Sequence, residues 1–459
     1  MKGSSLPAGA PPGASCTARA LFWLTAAALL VRGAFLVLEP ATRPIADERT
    51  WIDTALEILL SERVSLSPLR TNWIFYPPLY PYFIALVYAA FGSLVAVKWF
   101  QAAVSALIVP AVGLVGVRAF GPSAGVLAAG VAAFYPELVW FSAHFWSETL
   151  FMLLLWWAVE RLLAVDENGR VGVAVAAGAL WGLAVLTRET ALYLAPFAAV
   201  WLGTNRRRGA WRRATAFLVV ALLMVAPWTY RNWLRFGAFV PVSTVGALNL
   251  FQGNTLLSRD EVYALRDSVP GRIEQYHFLR QKGIEAILER QPWWLLEKLR
   301  DEMPRFWEAD SLALIHIKRG AYGPDVRPAV ALAAAVAVIL PYLLALAGFV
   351  AGVVALAPDR RQVLLLLLLV VYNGMHVATH GFARYRLPVL PVVFLVAAAA
   401  WALQRERRYP RLGPRRQALA AVLAVAVLLT LIPSFKLNLE HPAFGLTRAE
   451  PPASQGSPP

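Results

Sequence analysis

The chain holds a single cysteine, Cys16, in 459 residues, so no internal disulfide can form and either redox compartment is open to it. Charge is also scarce. Asp, Glu, Lys and Arg make up 15%, against about a quarter in a soluble globular domain. With 58% hydrophobic residues and a mean hydropathy of +0.55, the chain could not cover its apolar surface in water. The same apolar content excludes disorder, which needs low hydrophobicity. Acids are fewer than bases, 28 against 43, leaving a formal charge of +15. No internal repeat of the kind that builds many secondary transporters is found. No small-residue cleavage site follows the first apolar run, which therefore reads as an uncleaved anchor behind a mobile tail over 1–19.

What is present is one long apolar run after another. A hydrocarbon core about 30 Å thick needs roughly 20 apolar residues per helix. Candidate spans lie near 20–38, 94–117, 120–136, 148–164, 171–187, 190–203, 214–229, 328–356, 362–379, 387–402 and 417–433. The expected fold class is an all-α polytopic membrane protein with about 11–13 transmembrane helices and outward-facing surface helices. Residues 79–91, opening with the cluster YPPLYPY, are short enough to be re-entrant or interfacial rather than spanning. The loops 204–213, 357–361 and 403–416 carry thirteen Lys/Arg against Asp359 and Glu406. If 79–91 does not cross, all three lie with the N-terminus, and the positive-inside rule makes that side cytoplasmic. Most of the basic excess then reports orientation in the plasma membrane. Short Arg-rich loops between spans read as contacts with anionic lipid, not nucleic acid.

This topology divides the chain into a transmembrane module over 20–230 with a first outward loop at 39–75, a large outward loop at 231–327, a second bundle at 328–433 and an outward tail at 434–459. The large loop holds amphipathic stretches such as QPWWLLEKLRDEMPRFW, which read as surface helices. Gly178 and Gly182 form a small-xxx-small pair suited to close helix packing.

Candidate chemistry gathers on the outward side. Asp47 and Glu48 follow the first span, where a carboxylate could deprotonate a hydroxyl nucleophile or simply be a solvated loop acid. Glu148 stands at the outward end of a span, either functional or a helix-capping acid beside Ser147. Lys98, Arg188, Arg231, Arg384 and Arg386 are outward cations. The arginine forks match phosphate oxygens, and the other reading of each is an interfacial snorkelling residue. His376 and His380 have a ligand-like i, i+4 spacing in HVATH but lack the Glu of HExxH. No metal ligand set is therefore assigned, and a divalent cation is left open as a cofactor.

An acidic pair after the first span, the block YPPLYPYFIAL, an acid in the next outward loop, PWTYRNWLRFGAFVPVSTVGALNLFQGN and ARYRLPVLP occur in that order. Together they resemble the GT-C superfamily. The closer likeness is to bacterial enzymes related to dolichyl-phosphate-mannose–protein mannosyltransferases and to the ArnT aminoarabinose transferases, over about 21–401. The resemblance implies transfer of a monosaccharide from a polyprenyl-phosphate donor to a protein or glycolipid hydroxyl, with inversion. It implies Asp47 as general base with Glu48 as partner, Glu148 as second-loop acid, and Arg384 with Tyr385 near the lipid phosphate. Arg231 matches the Arg of WxxRN. Trp51 and Tyr76 depart from the pattern, standing where relatives often carry Tyr and Lys. A secondary transporter or flippase, a lipid-linked glycan ligase and a structural envelope subunit are the competing expectations. The first predicts ionisable residues deep in the membrane, where only Arg32 is found.

Overall fold

The computed structural model describes residues 12–39, 44, 47–60, 73–323 and 326–439. Much of the expected N-terminal tail (1–11), part of the first outward loop (61–72) and the end of the C-terminal tail (440–459) lie outside these residues. Among the described residues, twenty α-helices follow one another. The first half comprises α1 (Pro12–Leu38), α2 (Asp47–Leu60), α3 (Leu79–Phe91), α4 (Leu94–Ala106), α5 (Ile108–Phe120), α6 (Pro122–Phe134), α7 (Pro136–Ala143), α8 (Glu148–Asn168), α9 (Val171–Thr187) and α10 (Thr190–Gly203). After it come α11 (Ala210–Phe236), α12 (Val245–Asn254), α13 (Arg259–Asp267), α14 (Arg272–Glu289), α15 (Trp294–Trp307), α16 (Leu312–Lys318), α17 (Pro328–Ala355), α18 (Arg360–Ala378), α19 (Leu390–Arg405) and α20 (Pro414–Leu439). A 3₁₀ segment, Ala383–Val389, leads into α19. No strand occurs among the described residues.

Every apolar segment picked out above is helical. Seven are long and apolar enough to cross a membrane, and α6 with α7 makes an eighth as a bent pair. The apolar helices α3, α9 and α10 are shorter, and α8 carries Glu148, Glu160, Arg161, Asp166 and Glu167. The long loop expected to face outward folds into α12–α16, with the aromatic amphipathic stretch forming α15.

Pro136 disfavours helical geometry at the residue before it, and Tyr135 is extended at φ −63°, ψ 118°. The chain therefore bends by 49° between α6 and α7. Carbonyls at the end of α6 lose their helical partners there. Arg32 of α1 supplies replacements, donating from Nη1 to Ala133 O at 2.8 Å and from Nη2 to Ala132 O at 3.3 Å. Its Nε donates to Ser105 Oγ at 2.7 Å. Arg32, deep in its span, thus seals a helix break.

Close packing of α9 on α11 depends on the small-residue pair. A Cβ on Gly178 would stand 2.4 Å from Phe217 O, and one on Gly182 would stand 2.6 Å from Ala221 O. Gly178→Ala should destabilise the bundle by about 1–3 kcal/mol through overpacking. Thermal unfolding in detergent checks this, and an unchanged midpoint would count against the packing described.

The bundle has two chemically different ends. At one, the basic loops converge: Arg360 pairs with Asp166 at 2.9 Å and donates to Thr204 Oγ1 at 2.9 Å. Arg361 pairs with Glu167 at 3.0 Å, and Arg416 donates to Ala355 O at 3.3 Å. At the other end lie the start of α2, the α7–α8 and α9–α10 connections and the 3₁₀ segment.

Candidate active site

Short connections at span ends place the charged groups of the second end around one cleft, of about 1300 Å³ with its mouth. Asp47 enters from the first turn of α2, where a helix N-terminus favours a carboxylate. Its Oδ2 lies 2.8 Å from Arg384 Nη2, and Tyr76 Oη donates to its Oδ1 at 3.4 Å. Burial pushes this carboxyl up, but the Arg384 charge and hydrogen bond outweigh it. With help from Arg259 and Tyr76 they hold Asp47 below the ordinary aspartate value, so it is ionised at neutral pH.

Glu148 opens α8 and faces Arg188, whose Nη1 is 2.8 Å from Glu148 Oε1 and also donates to Ser147 Oγ at 3.2 Å. Arg384 Nε stands 4.0 Å from the same Glu148 oxygen, so one guanidinium bridges the two acids. Aromatic faces hold it in place: Arg384 lies 4.7 Å from the Trp146 ring centroid and 5.0 Å from that of Tyr385. Tyr385 in turn stacks on His376 at 4.7 Å. Its neighbours fix the segment itself. Gly381 N donates to Glu302 Oε2 at 2.7 Å, and Lys298 Nζ donates to Thr379 O at 3.2 Å.

Of the nine residues given catalytic or phosphate-binding roles from sequence, five therefore share the cleft: Asp47, Glu148, Arg188, Arg384 and Tyr385. Four others do not line it. Glu48, one residue after Asp47, faces the protein interior, where its Oε2 meets His316 Nε2 at 3.1 Å and its Oε1 accepts from Phe145 N at 3.0 Å. Lys98 sits 5.7 Å from the Phe145 ring centroid. Arg231 is buried beneath Trp228 at 4.6 Å and donates to Trp73 O at 2.9 Å, steadying the chain that leads to Tyr76. Arg386, 1% exposed, donates to Glu308 O and Asp310 O at 2.7 Å each, tying down the α15–α16 connection. His376 and His380 do not converge, since His380 Nδ1 faces Glu302 Oε2 at 3.6 Å while His376 packs on Tyr385.

The cleft also has members that were not singled out from sequence. Arg259 and Arg319 line it and are exposed, two cations facing the opening. Glu189 lines it too, accepting from Ser243 Oγ at 2.8 Å, and burial pushes its carboxyl up to about 7. A Cβ at Gly246 would stand 2.4 Å from Glu189 Oε1, so a larger residue there would displace this carboxylate. Arg259 and Arg319 resemble every other loop arginine in sequence, so nothing local marks them. A second cavity adjoins the first, sharing Glu189, Thr190, Asn249, His376, His380 and Tyr385 with it, and is otherwise largely apolar, with Leu192, Tyr193, Val242, Leu250, Met375 and Ala378 in its wall.

The helical bundle and its charged end cleft define a polytopic membrane protein of the GT-C fold. The model of the dolichyl-phosphate-mannose-protein mannosyltransferase family matches residues 76–231, a stretch that runs from Tyr76 through Glu148 and Arg188 to Arg231. A comparison with curated protein sequences finds no match. Among solved structures, the chain is similar to the oligosaccharyltransferase AglB of Archaeoglobus fulgidus in complex with an inhibitory peptide and a dolichol-phosphate. The TM-score is 0.51 at 14% identity, covering 91% of this chain and 56% of that one. The oligosaccharyltransferase of the same organism in complex with Zn and sulfate gives 0.51 at 15%, covering 94% and 53%. ArnT from Cupriavidus metallidurans bound to undecaprenyl phosphate gives 0.46 at 17%, covering 89% and 63%. The chain thus spans about half the length of the archaeal enzymes it matches.

Proposed function

We propose that the chain is a membrane glycosyltransferase moving a monosaccharide from a polyprenyl-phosphate donor to an acceptor hydroxyl, of a protein or an envelope glycolipid, on the outer face of the plasma membrane. The observation that carries this reading is an ionised Asp47 sharing one cleft with Arg384, Arg188 and Glu148, beside an apolar cavity suited to a lipid tail.

The chemistry has three demands. Asp47 takes the proton of the acceptor hydroxyl, whose oxygen bonds to the anomeric carbon. The anomeric carbon–oxygen bond to phosphate breaks, and its electron pair leaves with the polyprenyl phosphate. Cations stabilise the charge that develops there, with Arg384 nearest the base and Arg259 and Arg319 at the mouth. Glu148, held by Arg188, orients the acceptor or the sugar. One displacement of this kind inverts the anomeric centre.

Orientation follows from the basic loops at the opposite end of the bundle, which the positive-inside rule places in the cytoplasm together with the N-terminus. A transporter needs mobile charge within the membrane, whereas Arg32 is consumed by the α6–α7 break. A lipid-linked glycan ligase would use the same donor chemistry and differs only in its acceptor.

Donor choice tests the proposal. Purified protein in proteoliposomes should release sugar from a labelled polyprenyl-phosphate monosaccharide when acceptor is supplied, and should ignore the same sugar on a nucleotide. Turnover of the nucleotide sugar alone would overturn the reading.

A further inference from the structure

Behind the wall of the cleft lies a second group of buried chemistry that glycosyl transfer does not use. Glu48, His144 and His316 each turn one ligand atom inward, all within 4.8 Å of one another, and all three residues are buried. They come from α2, the end of α7 and α16, segments far apart in sequence.

Hydrogen bonding fixes what the two imidazoles offer. His144 Nδ1 lies 3.0 Å from Trp140 O, and His316 Nδ1 lies 2.9 Å from Leu312 O. A carbonyl only accepts, so each Nδ1 carries its proton and donates it. Each Nε2 then faces the cluster, as a lone pair in the neutral ring or as a second N–H in the imidazolium. His316 Nε2 meets Glu48 Oε2 at 3.1 Å, a contact that closes through a proton on the ring nitrogen or through a cation held by both atoms. His144 Nε2, in a residue with 0% exposure, has no hydrogen-bond partner among the described residues, although Glu39 Oε1 stands 3.3 Å away. Opposed lone pairs in a dry site repel unless a proton or a metal cation lies between them.

We infer that Glu48, His144 and His316 bind a divalent transition metal of the zinc class, with Glu39 as a fourth donor. Two imidazole nitrogens favour zinc and its neighbours over magnesium or calcium, which take oxygen ligands. Tetrahedral bonds of about 2.0–2.2 Å set ligand atoms roughly 3.3–3.6 Å apart, near the 3.1 Å between His316 Nε2 and Glu48 Oε2 and the 3.3 Å between His144 Nε2 and Glu39 Oε1. The surroundings are also those of a metal centre. Both ligating rings are oriented by carbonyls, Glu48 Oε1 is held by Phe145 N at 3.0 Å, and Glu39 Oε1 accepts from Tyr322 Oη at 3.0 Å. Such an ion would clamp the end of α1, α2, α7 and α16 together, directly behind Asp47.

Metal analysis tests this without any transfer assay, so its outcome is independent of the glycosyltransferase reading. The full chain, purified without chelator and equilibrated with zinc, should retain about one metal ion per chain after desalting. Cobalt in place of zinc should give the visible d–d absorption of a tetrahedral site. His144→Ala and His316→Ala should each lower bound metal at least tenfold, while His277→Ala, on exposed α14, should keep it. The cobalt spectrum of the unaltered protein decides the matter even if those variants fold poorly. A wild-type protein holding less than about a tenth of an equivalent, with no d–d bands, would overturn the inference and leave the cluster joined by shared protons. So would metal retained in both histidine variants.

Discussion

Asp47→Asn should lower sugar transfer by about 10²–10⁴-fold, the usual contribution of a positioned general base, with little effect on chain level or donor binding. The amide is nearly isosteric and can still accept from Tyr76, so the cleft keeps its shape. It cannot take a proton from the acceptor, and it no longer neutralises Arg384, which retains Glu148 at 4.0 Å. The loss should therefore fall on turnover rather than on the Michaelis constant for the lipid donor. Steady-state kinetics in proteoliposomes, with thermal unfolding as a control, separate these effects. Transfer at the wild-type rate would remove Asp47 from the mechanism.

Arg384→Ala has the next largest expected effect, about 10²–10³-fold, as for deletion of one group that stabilises developing negative charge. It also makes a claim about pH. With Arg384 present the folded Asp47 carboxyl lies below its ordinary value, and the basic form is available from mildly acidic pH upward. Removing the guanidinium leaves burial as the dominant influence, which raises the carboxyl. The acid limb of the rate profile should then move to higher pH, so the variant loses most at low pH and recovers partly as pH rises. Arg384→Lys, which keeps a charge but not the planar fork, should show a smaller shift. A limb that stays in place in Arg384→Ala would break the link between this arginine and the base.

Much of the fold was legible because apolar length is a direct signal. All the predicted spans are helices, and the Gly178–Gly182 pair sits where α9 meets α11. The bend at Tyr135 was less visible, though Pro136 announces it, and the role of Arg32 needed the bend to be known. For the site, sequence located the ends of helices but not the direction in which each residue points. Neighbours on a helix diverge by about 100°, so Asp47 reaches the cleft while Glu48 turns to His316. Arg384 and Arg386 part in the same way across the 3₁₀ segment, one toward Asp47 and the other toward Glu308 and Asp310. Glu39, His144 and His316 carry no shared pattern, because their meeting depends on the packing of α1, α7 and α16. Arg259 and Arg319 became candidates only when α13 and α16 were seen to border the cleft.

The central claim is that Asp47 activates the acceptor for a single displacement at the anomeric carbon. Determining the anomeric configuration of the product formed in one turnover from a donor of known configuration, by nuclear magnetic resonance, tests it most directly. Inversion is the predicted result. A product that retains the donor configuration would require a covalent sugar intermediate and would contradict the account.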